Sequence, residues 1–167
     1  MWYIGTANND DSTFAITDKV YDRAMPINID TKGVPFDAPL TDPVYISYKH
    51  FEYILNAAKV QFVVSEENIK KITLLDDYVI EHFRIAFGNR IVKQLRDFVR
   101  AYVGTGGTEL DGLDYVIARK VFRKFESLNL SYIRDEIDGL CAYIDELFGE
   151  ENMTESKDYL RMLKKLV

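Results

Sequence analysis

The sequence predicts a mainly α-helical chain. Residues 1–30 make a small αβ piece of two short strands and one helix, residues 31–44 a linker, and residues 45–167 a bundle of about six helices. Three observations predict this. Apolar residues recur at i, i+3, i+4 and i+7 through most of the chain after Ser47, the spacing of a helix with one buried face. Short apolar runs at 2–6 and 26–30 flank a segment that opens with Thr17-Asp18, a good helix start. Gly33, Pro35, Pro39 and Pro43 crowd the interval between the two halves and disfavour both helix and central strand.

The first strand, around Tyr3 and Ile4, stops at the polar Asn8. A brief helix near 18–24 ends in Asp22-Arg23, and residues 26–30 form the second strand. Two strands alone make a marginal sheet, and their open edges invite other chains to pair. After the linker, Ser47 is placed to cap a helix bearing Phe51, Ile54, Leu55 and Ala58, and Ser65 to cap the next, with Ile69, Ile72, Leu75, Val79 and Phe83. Gly88 interrupts that run. The following helix carries Ile91, Leu95, Phe98 and Tyr102, and Gly104 is its natural stop. Leu113, Val116, Ile117, Val121 and Phe125 predict one further helix. Ser131 is the expected cap of another, with Ile133, Ile137, Leu140, Cys141, Ile144 and Phe148. Tyr159, Leu160 and Leu163 mark the last.

At 167 residues, 47% hydrophobic and 29% charged, the chain has the make-up of a soluble globular protein with its own core. No apolar run approaches the roughly 20 residues that span a bilayer, and the start lacks a signal-peptide pattern, so no membrane partner is expected. A single cysteine, Cys141, excludes an internal disulfide and fits a cytoplasmic location. The net charge of -6 argues against a protein that coats nucleic acid. Basic residues nonetheless crowd positions 84–124, whereas 126–155 is mostly acidic. That asymmetry suits a phosphate or an acidic neighbour on one side, or a solvated helix face.

Three residues are candidates for chemistry. Asn8 ends an apolar strand, where α/β folds bind ligands, although an Asn-Asn-Asp-Asp run also forms turns. Arg23 closes the brief helix; a guanidinium grips phosphate oxygens through a rigid fork, but most surface arginines pair with an acid. Arg90 follows the turn Phe87-Gly88-Asn89 at a helix start, with Glu81 or Asp97 as its ordinary partner.

Gly5-Thr6-Ala7-Asn8, Asp22-Arg23-Ala24 before Met25 to Ile29, and Phe87-Gly88-Asn89-Arg90-Ile91-Val92 together resemble the back half of an AAA+ ATPase core and its helical lid. The resemblance is closest to the branch of McrB-type restriction motors and MoxR-type ATPases. It implies that Asn8 is the sensor-1 residue that orients the attacking water. Arg23 would be the arginine finger that reaches a neighbouring subunit's nucleotide, and Arg90 the sensor-2 arginine of the lid. The family more often has Pro where Asn89 stands, and Arg84 is a competing lid arginine. Asp111 to Tyr115, running into Arg119-Lys120-Val121, resembles the late lid helix, with Asp114 as a structural residue. The resemblance further implies ATP or GTP hydrolysis with Mg2+ in a homo-oligomeric ring. Its work would be remodelling or DNA translocation, alongside a nuclease or other partner subunit.

No GxxxxGK[ST] loop and no apolar strand ending in paired acids is present. The amides, lysine and Mg2+ ligands that hold a triphosphate must then come from a Walker-bearing core half. This chain alone is expected to be inactive and to hold no nucleotide tightly. Gly104 to Thr108 lacks the GK[ST] ending of a phosphate loop. His50 and His82 have no metal-site spacing, and Cys141 lies on an apolar helix face, as a structural thiol does. Asp76-Asp77 and Glu66-Glu67 read as surface pairs. Arg119, Lys120, Arg123 and Lys124 form a basic cluster fit to touch DNA or a partner. The rival reading is a helical protein-interaction module with no nucleotide role.

Overall fold

A computed structural model describes residues 3–7, 17–27, 29 and 32–165. Among them the architecture is all-helical. Seven α-helices occur: α1 (Asp18–Tyr21), α2 (Tyr48–Gln61), α3 (Glu66–Phe83), α4 (Gly88–Gly104), α5 (Glu109–Lys120), α6 (Leu130–Phe148) and α7 (Thr154–Lys165). A 3-10 segment, Phe122–Ser127, follows α5.

The two expected strands do not form. Residues 3–7, and 26, 27 and 29, have no regular structure, and Tyr3, Ile4, Ile27 and Ile29 are exposed. The reason is backbone accounting. A strand satisfies its N–H and C=O groups only through neighbours, and no strand exists among the described residues to pair with. Residues 32–46 run without regular structure and lie exposed.

The core lies among α3 to α7. Leu75, Leu95, Leu113, Ile137, Leu140, Ile144, Leu160 and Leu163 are all fully buried there. Helix α4 packs between α2 and α5, α7 lies across α5 and α6, and α3 lies on α6. On the α3–α6 seam Tyr78 stacks on Tyr143 at 4.5 Å. Gly139 makes room for this packing, since a Cβ there would come 3.0 Å from the Tyr78 hydroxyl. Helix α2 buries no residue completely and sits on the bundle through Ala58 and Phe62, which face Gly104.

Most caps follow the sequence. Ser47 accepts from the His50 amide and Ser65 from the Asn68 amide. Glu109, at the start of α5, accepts from both Ser65 N (2.6 Å) and Ser65 Oγ (3.0 Å), tying two helix starts together. Two boundaries differ. Helix α6 begins at Leu130 with Asn129 as its cap residue, so Ser131 lies inside the first turn. Helix α5 stops at Lys120, and Phe122 and Phe125 sit in the 3-10 segment, both buried. Positions i and i+3 eclipse in that geometry, so tightening the helix turns both rings inward. Asp76, expected on the surface, accepts the Phe87 amide at 2.8 Å and so holds the entry to α4.

Arg84 ends α3 in the left-handed conformation, φ 57° and ψ 29°, with its N–H on Ile80 O. A Cβ makes that conformation unfavourable, and glycine is the usual occupant. We expect Arg84→Gly to stabilise the fold by about 0.5–1 kcal/mol, seen as a higher urea midpoint with unchanged slope. A lower midpoint would mean that the Arg84 side chain holds something the cap geometry does not reveal.

Candidate functional site

The turn after α1 is built by local hydrogen bonds. Val20 N donates to Thr17 O, and Arg23 N (3.0 Å) and Ala24 N (2.9 Å) both donate to Val20 O. Helix α1 ends at Tyr21, so Arg23 lies in the turn beyond it and not within the helix.

Four side chains of the bundle then hold this turn by its backbone and by one ring. Gln94 Nε2, from α4, donates to Asp22 O at 3.2 Å. Tyr115 Oη, from α5, donates to Pro26 O at 3.4 Å. Lys120 Nζ donates to Tyr21 O at 2.6 Å and also to Ala24 O. The Arg123 guanidinium lies 3.5 Å over the Tyr21 ring, a cation–π contact. Met25 packs partly buried against the core.

Arg23 is exposed on this anchored turn, and no ion pair or hydrogen bond engages its guanidinium among the described residues. Asn8 lies outside the described residues. Arg90 is exposed in the first turn of α4 and has no acidic partner among the described residues; Asp97 pairs instead with Lys59 at 3.8 Å. Gln94, the residue bonded to the Arg23 turn, lies one helical turn along from Arg90. The structure therefore brings the turn of Arg23 onto the helix of Arg90. Arg84, the competing choice, is the left-handed cap between α3 and α4.

The cluster expected to reach outward is instead used within the molecule. Arg119, Lys120, Arg123 and Lys124 line a cavity of about 370 Å3 beneath Tyr21 and Asp22. Arg119 pairs with Glu155 and stacks 3.7 Å over the Tyr115 ring. Arg123 lies 3.7 Å from Glu126, and Lys124 donates to Ala86 O at 3.1 Å. Lys120 is buried, which pushes its ammonium below the usual lysine range; nearby Asp22 opposes that shift and Lys124 adds to it.

The free positive charge lies elsewhere. On the outer face of α4, Lys93, Arg96 and Arg100 surround a shallow groove of about 340 Å3 with Asn89, Val92 and Asp97, the last of which pairs with Lys59. None of the three forms an ion pair among the described residues, and Arg100 Nε is buried without a partner.

Other groups are structural. Asp114 is buried and accepts from Glu155 N (2.8 Å) and Ser156 N (2.7 Å) at the start of α7. Burial pushes its carboxyl up, and those hydrogen bonds pull it down less. Burial also raises the Cys141 thiol, so thiolate is scarce there. The Gly104 to Thr108 run reverses the chain between α4 and α5. Gly106 has φ 96°, and a Cβ at Gly107 would strike the Tyr102 ring at 2.2 Å. His82 stacks on Tyr78 at 4.1 Å and meets Glu136 through Nδ1 at 3.1 Å. No group of three metal-ligating side chains exists among the described residues, and no described helix is long and apolar enough to cross a membrane.

Sequence reasoning missed Gln94, Tyr115 and the role of Lys120. The only local signal was Lys120 on an otherwise apolar stripe, between Ile117 and Val121. Comparison of the chain with protein-family models, with curated proteins and with solved structures finds no match.

Proposed function

We propose that this chain is the C-terminal part of an AAA+ nucleoside triphosphatase of the McrB-like or MoxR-like branch, acting with a Walker-bearing core half. In this reading Arg23 stabilises charge on the nucleotide of a neighbouring subunit, Arg90 meets the nucleotide of its own subunit, and Asn8 orients the attacking water. Mg2+ and the triphosphate are held by the Walker-bearing half.

One observation carries most of the support. Arg23 is exposed and has no counter-charge among the described residues, on a turn whose backbone is bonded to three bundle side chains. A finger needs a fixed base and a free tip, because the transition state rewards only a donor already in place. Two further features agree. Arg90 heads a helix whose outer face carries Lys93, Arg96 and Arg100, none of them in an ion pair among the described residues. The apolar side chains of Tyr3, Ile4, Ile27, Ile29, Val34 and Phe36 are exposed, as a segment awaiting a protein surface would be. That last feature equally favours the rival, a helical interaction module.

Turnover separates the two. The purified chain is expected neither to retain radiolabelled ATP or GTP nor to hydrolyse it. Joined to a Walker-bearing core half, it is expected to give Mg2+-dependent hydrolysis and a ring-sized species by light scattering. Robust turnover by the chain alone, or none by the joined protein, would remove the motor reading.

A further inference from the structure

Lys120 is an expensive residue for its position. Its side chain is buried, and burial of an ammonium costs free energy that its hydrogen bonds must offset. A methionine of similar length would fill the same space without that cost. The ammonium does what methionine cannot. It donates to Tyr21 O, the last residue of α1, and to Ala24 O, beyond the turn. These two carbonyls flank Asp22-Arg23. Joining them through one donor holds the main chain on both sides of Arg23 and so sets the direction of its Cα–Cβ bond. The Asp22 carbonyl between them is held by Gln94, and the Tyr21 ring by Arg123.

We propose that Lys120 is the positioning residue for Arg23: from α5 it clamps the carbonyls of Tyr21 and Ala24 and thereby aims the guanidinium at its phosphate target. The inference rests on the reading of Arg23 as the residue that acts on a neighbour's nucleotide. It also makes the Arg23 turn part of the helical bundle, since α5 and α4 hold it directly.

The clamp and its purpose are testable apart. Lys120→Met keeps the bulk and removes the donors. In the chain itself, tryptic cleavage after Arg23, followed by mass spectrometry, is expected to quicken about tenfold or more as the turn opens locally, with the thermal transition of the helices retained. In the joined NTPase, Lys120→Met is expected to lower kcat by about 10²-fold, the penalty of a misplaced catalytic group, with KM unchanged. Lys120→Arg, which keeps a buried cation with donors, is expected to recover part of that loss. Unchanged cleavage after Arg23 in Lys120→Met would overturn the clamp. Faster cleavage with unchanged kcat, while Arg23→Ala is inactive, would overturn the positioning role and leave the motor reading standing. Normal kcat in Arg23→Ala would overturn both that reading and this inference, whatever the proteolysis shows.

Discussion

In the proposed motor, Arg23→Ala is expected to lower kcat of the chain joined to a Walker-bearing half by about 10³-fold or more, the scale of a guanidinium that stabilises a transferring phosphoryl group. KM for the nucleotide should change little, because the contact is made in the transition state more than in the ground state. Stability should hardly move. Arg23 is exposed and makes no ion pair among the described residues, and surface replacements of that kind stay within about 0.5 kcal/mol. Arg23→Lys should restore little, since a point charge does not reproduce the planar fork. The trans arrangement has its own signature. Subunits carrying Arg23→Ala, mixed with subunits whose Walker lysine is replaced, should regain activity where an intact Arg23 meets an intact nucleotide site. A mixture that stays inactive would mean that Arg23 serves its own subunit or none.

The second large effect is on folding. Asp114→Ala is expected to destabilise the bundle by about 3 kcal/mol and to lower its melting temperature by about 10 °C. The Asp114 carboxylate accepts the amides of Glu155 and Ser156, two of the first-turn donors that a helix cannot satisfy itself, and its charge opposes the positive end of the α7 dipole. Alanine leaves both amides unpaired, that of Ser156 in a buried place and that of Glu155 in a partly buried one. Asp114→Asn keeps the shape and one acceptor, so it should cost about half as much.

The pH dependence has a definite sign. Burial raises the folded pKa of Asp114 above the ordinary aspartate value of 3.8, so the folded state binds the proton first. Its ionisation therefore costs stability above the folded pKa, and that cost disappears as pH falls toward 3.8. The stability gap between wild type and Asp114→Asn should accordingly widen on acidification through that window in urea titrations. A gap that narrows would show that the two amide hydrogen bonds outweigh burial.

Much of the helical part was legible because its causes are local. Ser47 and Ser65 cap amides three residues on. Ile72, Leu75 and Val79 share a face through helical geometry alone, and all are buried. Asp114 was also placed as structural, although its capping of α7 was not foreseen. The linker followed from its prolines and glycine, which act on their own residues.

The expected strands failed for the opposite reason. Strand formation is a contract between distant segments, and an apolar run such as Trp2 to Ile4 specifies only one party. Of the candidate site, the exposed cations Arg23 and Arg90 were visible as residues in a pattern. What supports them was not. Lys120 reaches carbonyls 96 and 99 residues away, and nothing in a basic i, i+4 cluster distinguishes a buried clamp from a surface patch.

The sequence by itself therefore determined which segments coil, which faces turn inward and where the chain must turn, since spacing and caps act within one or two turns. Only the tertiary structure decided that Lys120 and Arg123 would turn inward onto the α1 turn, that Asp114 would finish α7, and that Arg23 would have no ion pair among the described residues. Those outcomes depend on which distant backbone groups need a partner once the core has excluded water, and that need arises only when the helices meet.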